Sequence, residues 1–448
     1  MQKHDSPTRR QFLGVTATAA AGGWLAPHVV AASGARRTGP NDTIHLGLIG
    51  CGARGRQVMR AFLKLPGVKM TAVCDLHTRH LASGRAEAGG ERVAAFHDFR
   101  KLLEHRPLDA VIVATQPHWH VLVTIAACQA GKDVYLEKPV GNCIGEGRFA
   151  QAAAEKYQRI VQIGTQQRSQ AHYRRAVELI HAGQLGAISE VKVWDHENWW
   201  PGRGFPADCP PPPELDWDFY VGPAPYRAYN PNIYYQYGYD WFKLSGAGHQ
   251  VAWGVHHFDI VLWAMQATAP TRVTALGGNY AFRDNREWPN TLDGILEFGP
   301  TPVAPDGFVL QYTMRIGCKR ESRAHGKCFM GTNGSLFLDR GGYTITPETV
   351  RGAKRPGPTL PPGELEGRPE DDSMRHCAVF LDNLRRRRPP FANLTTGQHA
   401  SNVGHLLNIA WQTGRTLRWD GERERVLDDP EADALVLKPC RAPWKLAV

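Results

Sequence analysis

"TIHLGLIGCGARGRQVMRAFLKLPGVKMTAVCD", Thr43 to Asp75, decides the fold. It opens on an alternating β-rich run, Ile44 to Ile49, and passes directly into Gly50-x-Gly52-x-x-Gly55. Val58, Phe62 and Leu65 then follow helical spacing, and a second β-rich run, Lys69 to Cys74, ends on Asp75. A glycine triplet alone is a weak signal, but one set between a strand and a helix of a βαβ unit is the fingerprint of a dinucleotide site. Gly50 permits the tight turn, Gly52 lets the main chain approach a pyrophosphate, and Gly55 allows close helix–strand packing. The helix start at Ala53 and Arg54 then faces the phosphates. Asp75 stands 20 residues past Gly55, where a carboxylate accepts hydrogen bonds from the adenosine ribose and repels a 2′-phosphate. NAD is expected over NADP, with Arg54, Arg56 and Arg79 near enough to soften the preference.

The alternation continues beyond Asp75. "LDAVIVATQP", Leu108 to Pro117, is a third long strand, a helix follows from about His118 to Ala130, and "DVYLEKP" adds another short strand. Strands alternating with helices predict a parallel sheet covered on both faces. Lys138, at the carboxyl end of its strand, falls at the crevice where such sheets bind ligands.

From "GAISEVKVWDHENWW", Gly186 to Trp200, the pattern changes to short alternating strands and long loops. Cys209 to Phe242 is too proline-broken for a helix or a central strand and reads as a structured surface excursion. Its aromatics either form platforms for sugar rings or staple the loop down. Glu197, Trp199 and Trp200 are the first candidates for sugar contact. Strands resume in "TRVTALGG", "TLDGILEFG", "GFVLQYTMRIG" and "GKCFMGTNGSLFLD", as in an antiparallel sheet, and two late helices follow.

Gly50-x-Gly52-x-x-Gly55, "ATQPHWH" and Glu137-Lys138-Pro139 together resemble the Gfo/Idh/MocA family of NAD(P)-dependent oxidoreductases, over the whole chain after its leader. The resemblance implies an α/β chain: an N-terminal Rossmann domain with a parallel sheet at 42–165, and a C-terminal α+β domain with an open, mainly antiparallel sheet at 166–448. It also implies substrate and oligomer contacts in the second domain, whose late helices return toward the first. Sugars, cyclitols or related polyols are the implied substrates, and a homo-oligomer the implied assembly. Lys138 matches the lysine beside the nicotinamide and the reacting hydroxyl, and Pro139 the proline that often follows a cis bond. Thr115, Pro117, His120 and Glu137 fall on the cofactor side. Arg168, in "GTQQRS", is a candidate for cofactor or substrate contact.

In many such proteins the helix lining the substrate site reads G-G-x-x-x-D-x-G-x-H. Here "GAGHQVAWGVHHFDIVLW" matches it, with His256 as the histidine and Ala252 where the acid would stand. On one continuous helix, 252, 256, 259 or 260 and 263 share a face. His256 then faces the cleft as general base, with Trp253 and His257 beside the substrate, and His249 or Asp259 in place of the missing acid. Adjacent histidines diverge on a helix, and no other ligand spacing is near, so no metal is expected. A carbohydrate dehydrogenase leads. An NAD-dependent glycoside hydrolase that oxidises the sugar transiently and recycles a tightly bound cofactor is the alternative.

Residues 1–35 form a leader: Arg9 and Arg10, then a short apolar stretch from Phe12 to about Trp24, then small residues near Ala31 and Ala32. This resembles a twin-arginine export signal, so the twin-arginine translocation machinery and a periplasmic or cell-envelope destination are expected. The 448 residues carry a net charge of +10, but the excess is scattered. Its one dense run, "LRRRRPP", sits where a helix ends and faces solvent, so nucleic-acid binding is not expected. Nine cysteines without paired spacing read as free core thiols.

Overall fold

β1 (Ile44–Ile49), β4 (Ala110–Val113) and β5 (Asp133–Leu136) are buried along nearly their whole length, as strands covered on both faces must be. With β2 (Val68–Cys74), β3 (Ala94–Phe96) and β6 (Val161–Ile163) they form a six-stranded sheet ordered β3-β2-β1-β4-β5-β6. Every pairing in it is parallel. The order reverses between β1 and β4, which places the ligand crevice beyond the carboxyl ends of those strands. The computed structural model describes residues 43–234, 238–319, 323–350, 352, 357–360, 366–367 and 373–448. The twin-arginine segment lies outside the described residues.

The second sheet has ten strands: β7 (Ile188–His196), β8 (Arg272–Gly278), β9 (Thr291–Phe298), β10 (Phe308–Arg315), β11 (His325–Gly331), β12 (Gly334–Asp339), β13 (Gly342–Pro347), β14 (Glu366–Gly367), β15 (Leu417–Asp420) and β16 (Arg425–Leu427). Their order is β14-β13-β12-β11-β7-β10-β9-β8-β15-β16. β7 and β10 pair in parallel, and the other pairings are antiparallel. Burial alternates along β9 and β10, so one face packs on helices Ala171–His181, Gly254–Met265 and Leu394–Thr413 while the other, with Leu276, Ile295 and Val309, is exposed.

The helix Ser373–Arg386 returns to the first domain. Phe380 packs edge-on against Phe62 and Tyr135, with ring centroids 5.9 and 5.8 Å apart. Phe380, Leu381 and Leu384 are all buried there, each worth about 1.5–3 kcal/mol. A late segment of the chain thus completes the first domain's helical layer. The arginine run ends this helix in solvent, and Arg387 is anchored by its contact with Asp133 at 2.5 Å.

Cys209 to Phe242 folds as short helices around its own apolar cluster, which includes Trp217, Tyr220, Trp241 and Phe242. It is fastened to the first domain: Thr78 N donates to Glu214 O at 2.9 Å and Trp119 Nε1 to Tyr220 O at 3.0 Å. Of the two sequence readings of its aromatics, these contacts support stapling. All nine cysteines are free, five of them buried. No helix among the described residues is long and apolar enough to cross a membrane.

Candidate active site

The glycine loop has the shape a dinucleotide requires. Gly50 has φ +95°, and a Cβ there would come 2.4 Å from Ala114 O. A Cβ on Gly55 would lie 1.9 Å from Gly50 O, whereas one on Gly52 would meet nothing within 4 Å. Turn and packing thus exclude side chains at Gly50 and Gly55, and Gly52 fronts open space where a pyrophosphate can approach. The helix Ala53–Leu63 begins with no side-chain cap and no acidic residue in its first turn, leaving its first amides for an anion.

Asp75 closes the far end of this cradle. Its carboxylate accepts from Cys51 N at 2.6 Å and from His77 N at 2.8 Å, leaving lone pairs for ribose hydroxyls. Burial raises its pKa against the pull of these bonds and of His80. His77 and His80 stack at 4.6 Å, and Tyr234 from the excursion lies parallel to His77 at 5.8 Å. The three arginines that might have welcomed a 2′-phosphate are all engaged: Arg54 with Glu137, Arg56 with Glu87, Arg79 with Glu214.

Glu137 joins the cradle to the reacting end, since Arg54 from the glycine-loop helix meets its carboxylate at 2.8 Å. Pro117 begins the helix Pro117–Gln129. His120 sets its ring nitrogens against two main-chain carbonyls, Pro139 O at 2.6 Å and Thr115 O at 3.1 Å, and its one imidazole N–H donates to one of them. It therefore braces the loops carrying Thr115 and Lys138. The Lys138–Pro139 bond is cis.

The continuous helix expected through Ala252 and His256 is replaced by two, His249–Ala252 and Gly254–Met265. Between them Trp253 has φ −105° and ψ −43°. His256 N turns to Trp253 O at 3.0 Å, and Ala252 O receives Lys138 Nζ at 2.6 Å. The shared helical face is corrected accordingly: the break supplies Lys138 with a main-chain acceptor.

Burial lowers the Lys138 pKa, and Arg54 and Arg340 add to this against Glu137 and Asp240. His256 is also buried, and burial together with Lys138, Arg340 and Arg54 drives its pKa far below the usual imidazole range. The sequence reading of His256 as a base titrating near neutrality is revised: it is a neutral imidazole at pH 7. One group titrating near neutrality is Asp240, raised by burial to about 7 while Lys138 and His249 pull it down. His249 lies 2.9 Å from Asp195, an ion-pair distance without hydrogen-bond alignment. Burial lowers the His249 pKa, but Asp195, Asp240 and Glu197 outweigh it and the net shift is upward. Burial and then Asp195 raise the half-buried Glu197.

Trp253 is central to this group, parallel to His249 at 6.3 Å and edge-on to His256 at 5.7 Å. Trp199 is half-buried and edge-on to Trp241 at 5.9 Å, while Trp200 is 66% exposed. His257 diverges from His256, as helical spacing requires, and packs 5.7 Å from the His325 ring. Among the described residues no three His, Cys, Asp or Glu side chains are grouped to hold a metal ion.

Arg168 and Asp259 are corrected as site residues. Arg168 Nε meets both carboxylate oxygens of Asp259 at 2.8 Å, and its guanidinium also lies over Trp263 and Phe391. The pair is sealed, with side chains 5% and 0% exposed. Neither is available to substrate or cofactor.

Sequence reasoning missed Asp240, Asp195 and Arg340. Asp195 had a legible signal, following Val191 and Val193 at the inward positions of β7. Asp240, in "YGYDWF", and Arg340, in a hairpin turn, belong to no motif.

A glycine cradle closed by an acid opens onto a buried lysine, imidazole and carboxyl group, the arrangement of a dinucleotide-binding site. Residues 44–165 match the Gfo/Idh/MocA description "Oxidoreductase family, NAD-binding Rossmann fold", and residues 364–446 match "Oxidoreductase family, C-terminal alpha/beta domain". Over these two stretches the chain is similar to the Gfo/Idh/MocA oxidoreductases. It is 31% identical over 156 residues to a glycosyl hydrolase family 109 protein of Saccharopolyspora erythraea, covering 33% of this chain and 34% of that one. It is 35% identical over 142 residues to an inositol 2-dehydrogenase of Acidiphilium cryptum, covering 30% and 40%. The chain thus spans little more than a third of the length of these curated relatives. It shares its fold with the aldose-aldose oxidoreductase of Caulobacter crescentus, at TM-score 0.61 and 20% identity over 84% of this chain and 99% of that one.

Proposed function

We propose that the protein is an exported NAD-dependent oxidoreductase that moves hydride between the nicotinamide and a carbohydrate or polyol hydroxyl. The observation that carries this is the placing of Lys138: Glu137 beside it is held by Arg54 of the glycine-loop helix, and its own amine Nζ donates to Ala252 O. The bound cofactor would supply the hydride chemistry, which leaves one proton for the protein to handle. Lys138, with its pKa lowered by burial, takes that proton from the hydroxyl and offsets alkoxide charge. His256 accepts a hydrogen bond as a neutral imidazole, and Asp240 relays the proton near pH 7. The twin-arginine leader supports delivery to the periplasm or cell envelope, and the exposed Leu276, Ile295 and Val309 support a homo-oligomer across the open sheet.

Likeness to a family 109 protein favours a second reading, a glycoside hydrolase with transient sugar oxidation and a bound, recycled cofactor. The purified full chain, given NAD with polyols and aryl glycosides, separates the two. NADH accumulation without released phenol supports the dehydrogenase, and bond cleavage without added NAD supports the hydrolase. Neither product across a broad panel would sink both.

A further inference from the structure

Arg340 is a cation of this cleft to which the proposed chemistry gives no task. It occupies the turn between β12 and β13, where Gly341 N donates to Asp339 Oδ1 at 2.7 Å. Its guanidinium carbon lies 4.8 Å from the Trp253 ring centroid, and that ring is the one set edge-on to His256 at 5.7 Å. Other arginines of the region are neutralised: Arg54 by Glu137, Arg168 by Asp259, Arg286 by Asp284. Among the described residues Arg340 has neither hydrogen bond nor ion pair, and its Nε is buried without a partner. A partly buried guanidinium left without a counter-charge is costly to keep. His325, His257 and Lys327 bring no negative charge beside it, and Asp339, which acts on His325 and Lys327 as Arg340 does, makes no ion pair with it.

We propose that Arg340 and Trp253 form a subsite for the carboxylate of an acidic sugar, an aldonate or uronate, whose apolar face lies on the indole and whose reacting hydroxyl points to Lys138 and His256. A guanidinium takes a carboxylate through two parallel charge-assisted hydrogen bonds, and a neutral polyol brings no charge to them. A monoanion fits better than a phosphate because Asp195, Glu197 and Asp240, which act on His249 beside Trp253, repel a second charge. The inference rests on the oxidoreductase reading of the same cleft and narrows its substrate class.

The test uses the full chain loaded with NAD, in wild-type, R340K and R340M forms. Turnover of D-gluconate and D-glucuronate is compared with that of D-glucose, myo-inositol and D-glucose 6-phosphate, and binding of the same compounds is followed by calorimetry. The wild type should favour the acids. R340M should lower the acid-to-neutral ratio of kcat/KM by about 10- to 100-fold, and R340K should restore part of it. Equal losses for acids and neutral sugars, no wild-type preference for acids, or a stronger preference for the phosphate would each overturn the proposal. If no sugar is oxidised yet gluconate or glucuronate binds in an Arg340-dependent way, the oxidoreductase reading fails and the subsite stands. Turnover of neutral polyols without acid binding sinks the subsite alone.

Discussion

Lys138 Nζ is hydrogen-bonded to the main-chain carbonyl of Ala252 at 2.6 Å, and the helix break at Trp253 is what frees that carbonyl. An acid is expected at position 252 by resemblance. In its place the main chain orients the lysine, and a carboxyl from another segment, Asp240, acts on it electrostatically. The amine and acid act on each other electrostatically without an ion-pair contact, their pKa values shifted toward one another, Lys138 down and Asp240 up to about 7.

Lys138→Met removes the amine while keeping most of the side-chain volume. Hydride transfer should fall by about 10²- to 10⁴-fold, while NAD affinity, measured by calorimetry, stays within a few-fold because the glycine cradle and Asp75 are untouched. Turnover at wild-type rate would remove Lys138 from the chemistry.

Asp240→Asn should delete an ionisation near pH 7 from the kcat/KM profile. Stability gives an independent readout. The folded pKa of Asp240 is raised above its ordinary value of 3.8 to about 7, so the folded chain holds this proton more tightly than the unfolded chain. Stability therefore falls as pH rises through that window and is lowest above it. Asparagine removes the penalty, on the order of 4 kcal/mol at most. The variant's Tm should exceed that of the wild type at pH 8 and lose most of this advantage by pH 5. A constant Tm difference across that range would show that Asp240 does not titrate as described.

How much of this was legible depended on how local the signal was. Gly50, Gly52, Gly55, Asp75 and Lys138 act through strand–turn–helix geometry within single βαβ units, so their spacing along the chain fixes their spacing in space. Asp240 acts on Lys138 electrostatically only because Trp217, Tyr220 and Trp241 bury the excursion as a cluster against the first domain, a tertiary event without periodicity. The break at Trp253 was hidden because both flanking segments have good helical composition. Arg168 misled for the converse reason: a charged residue at the entrance to the second domain looks functional until the fold brings Asp259 to it.

Arg168→Met tests that correction. Removing one partner of a sealed ion pair leaves a buried charge, which typically costs about 3–5 kcal/mol. A large drop in the urea midpoint is expected, partly restored by adding Asp259→Asn. In whatever fraction folds, KM for NAD and for sugar should be unchanged. A raised KM with normal stability would return Arg168 to the substrate site.

Gly52→Ala and Gly55→Ala should separate binding from folding within one turn. The Cβ on Gly52 enters space with no protein atom within 4 Å, and the one on Gly55 would fall 1.9 Å from Gly50 O. The first variant should keep the Tm of the cofactor-free protein, because nothing in the fold has to move. It should lose at least about tenfold in NAD affinity, since a methyl group now occupies the path by which the pyrophosphate reaches the main chain. The second must push the helix Ala53–Leu63 off β1 and should melt well below wild type. Adding saturating NAD raises the wild-type Tm by mass action and should raise that of Gly52→Ala far less. Full NAD stabilisation of Gly52→Ala would mean that the dinucleotide does not cross the loop at this glycine.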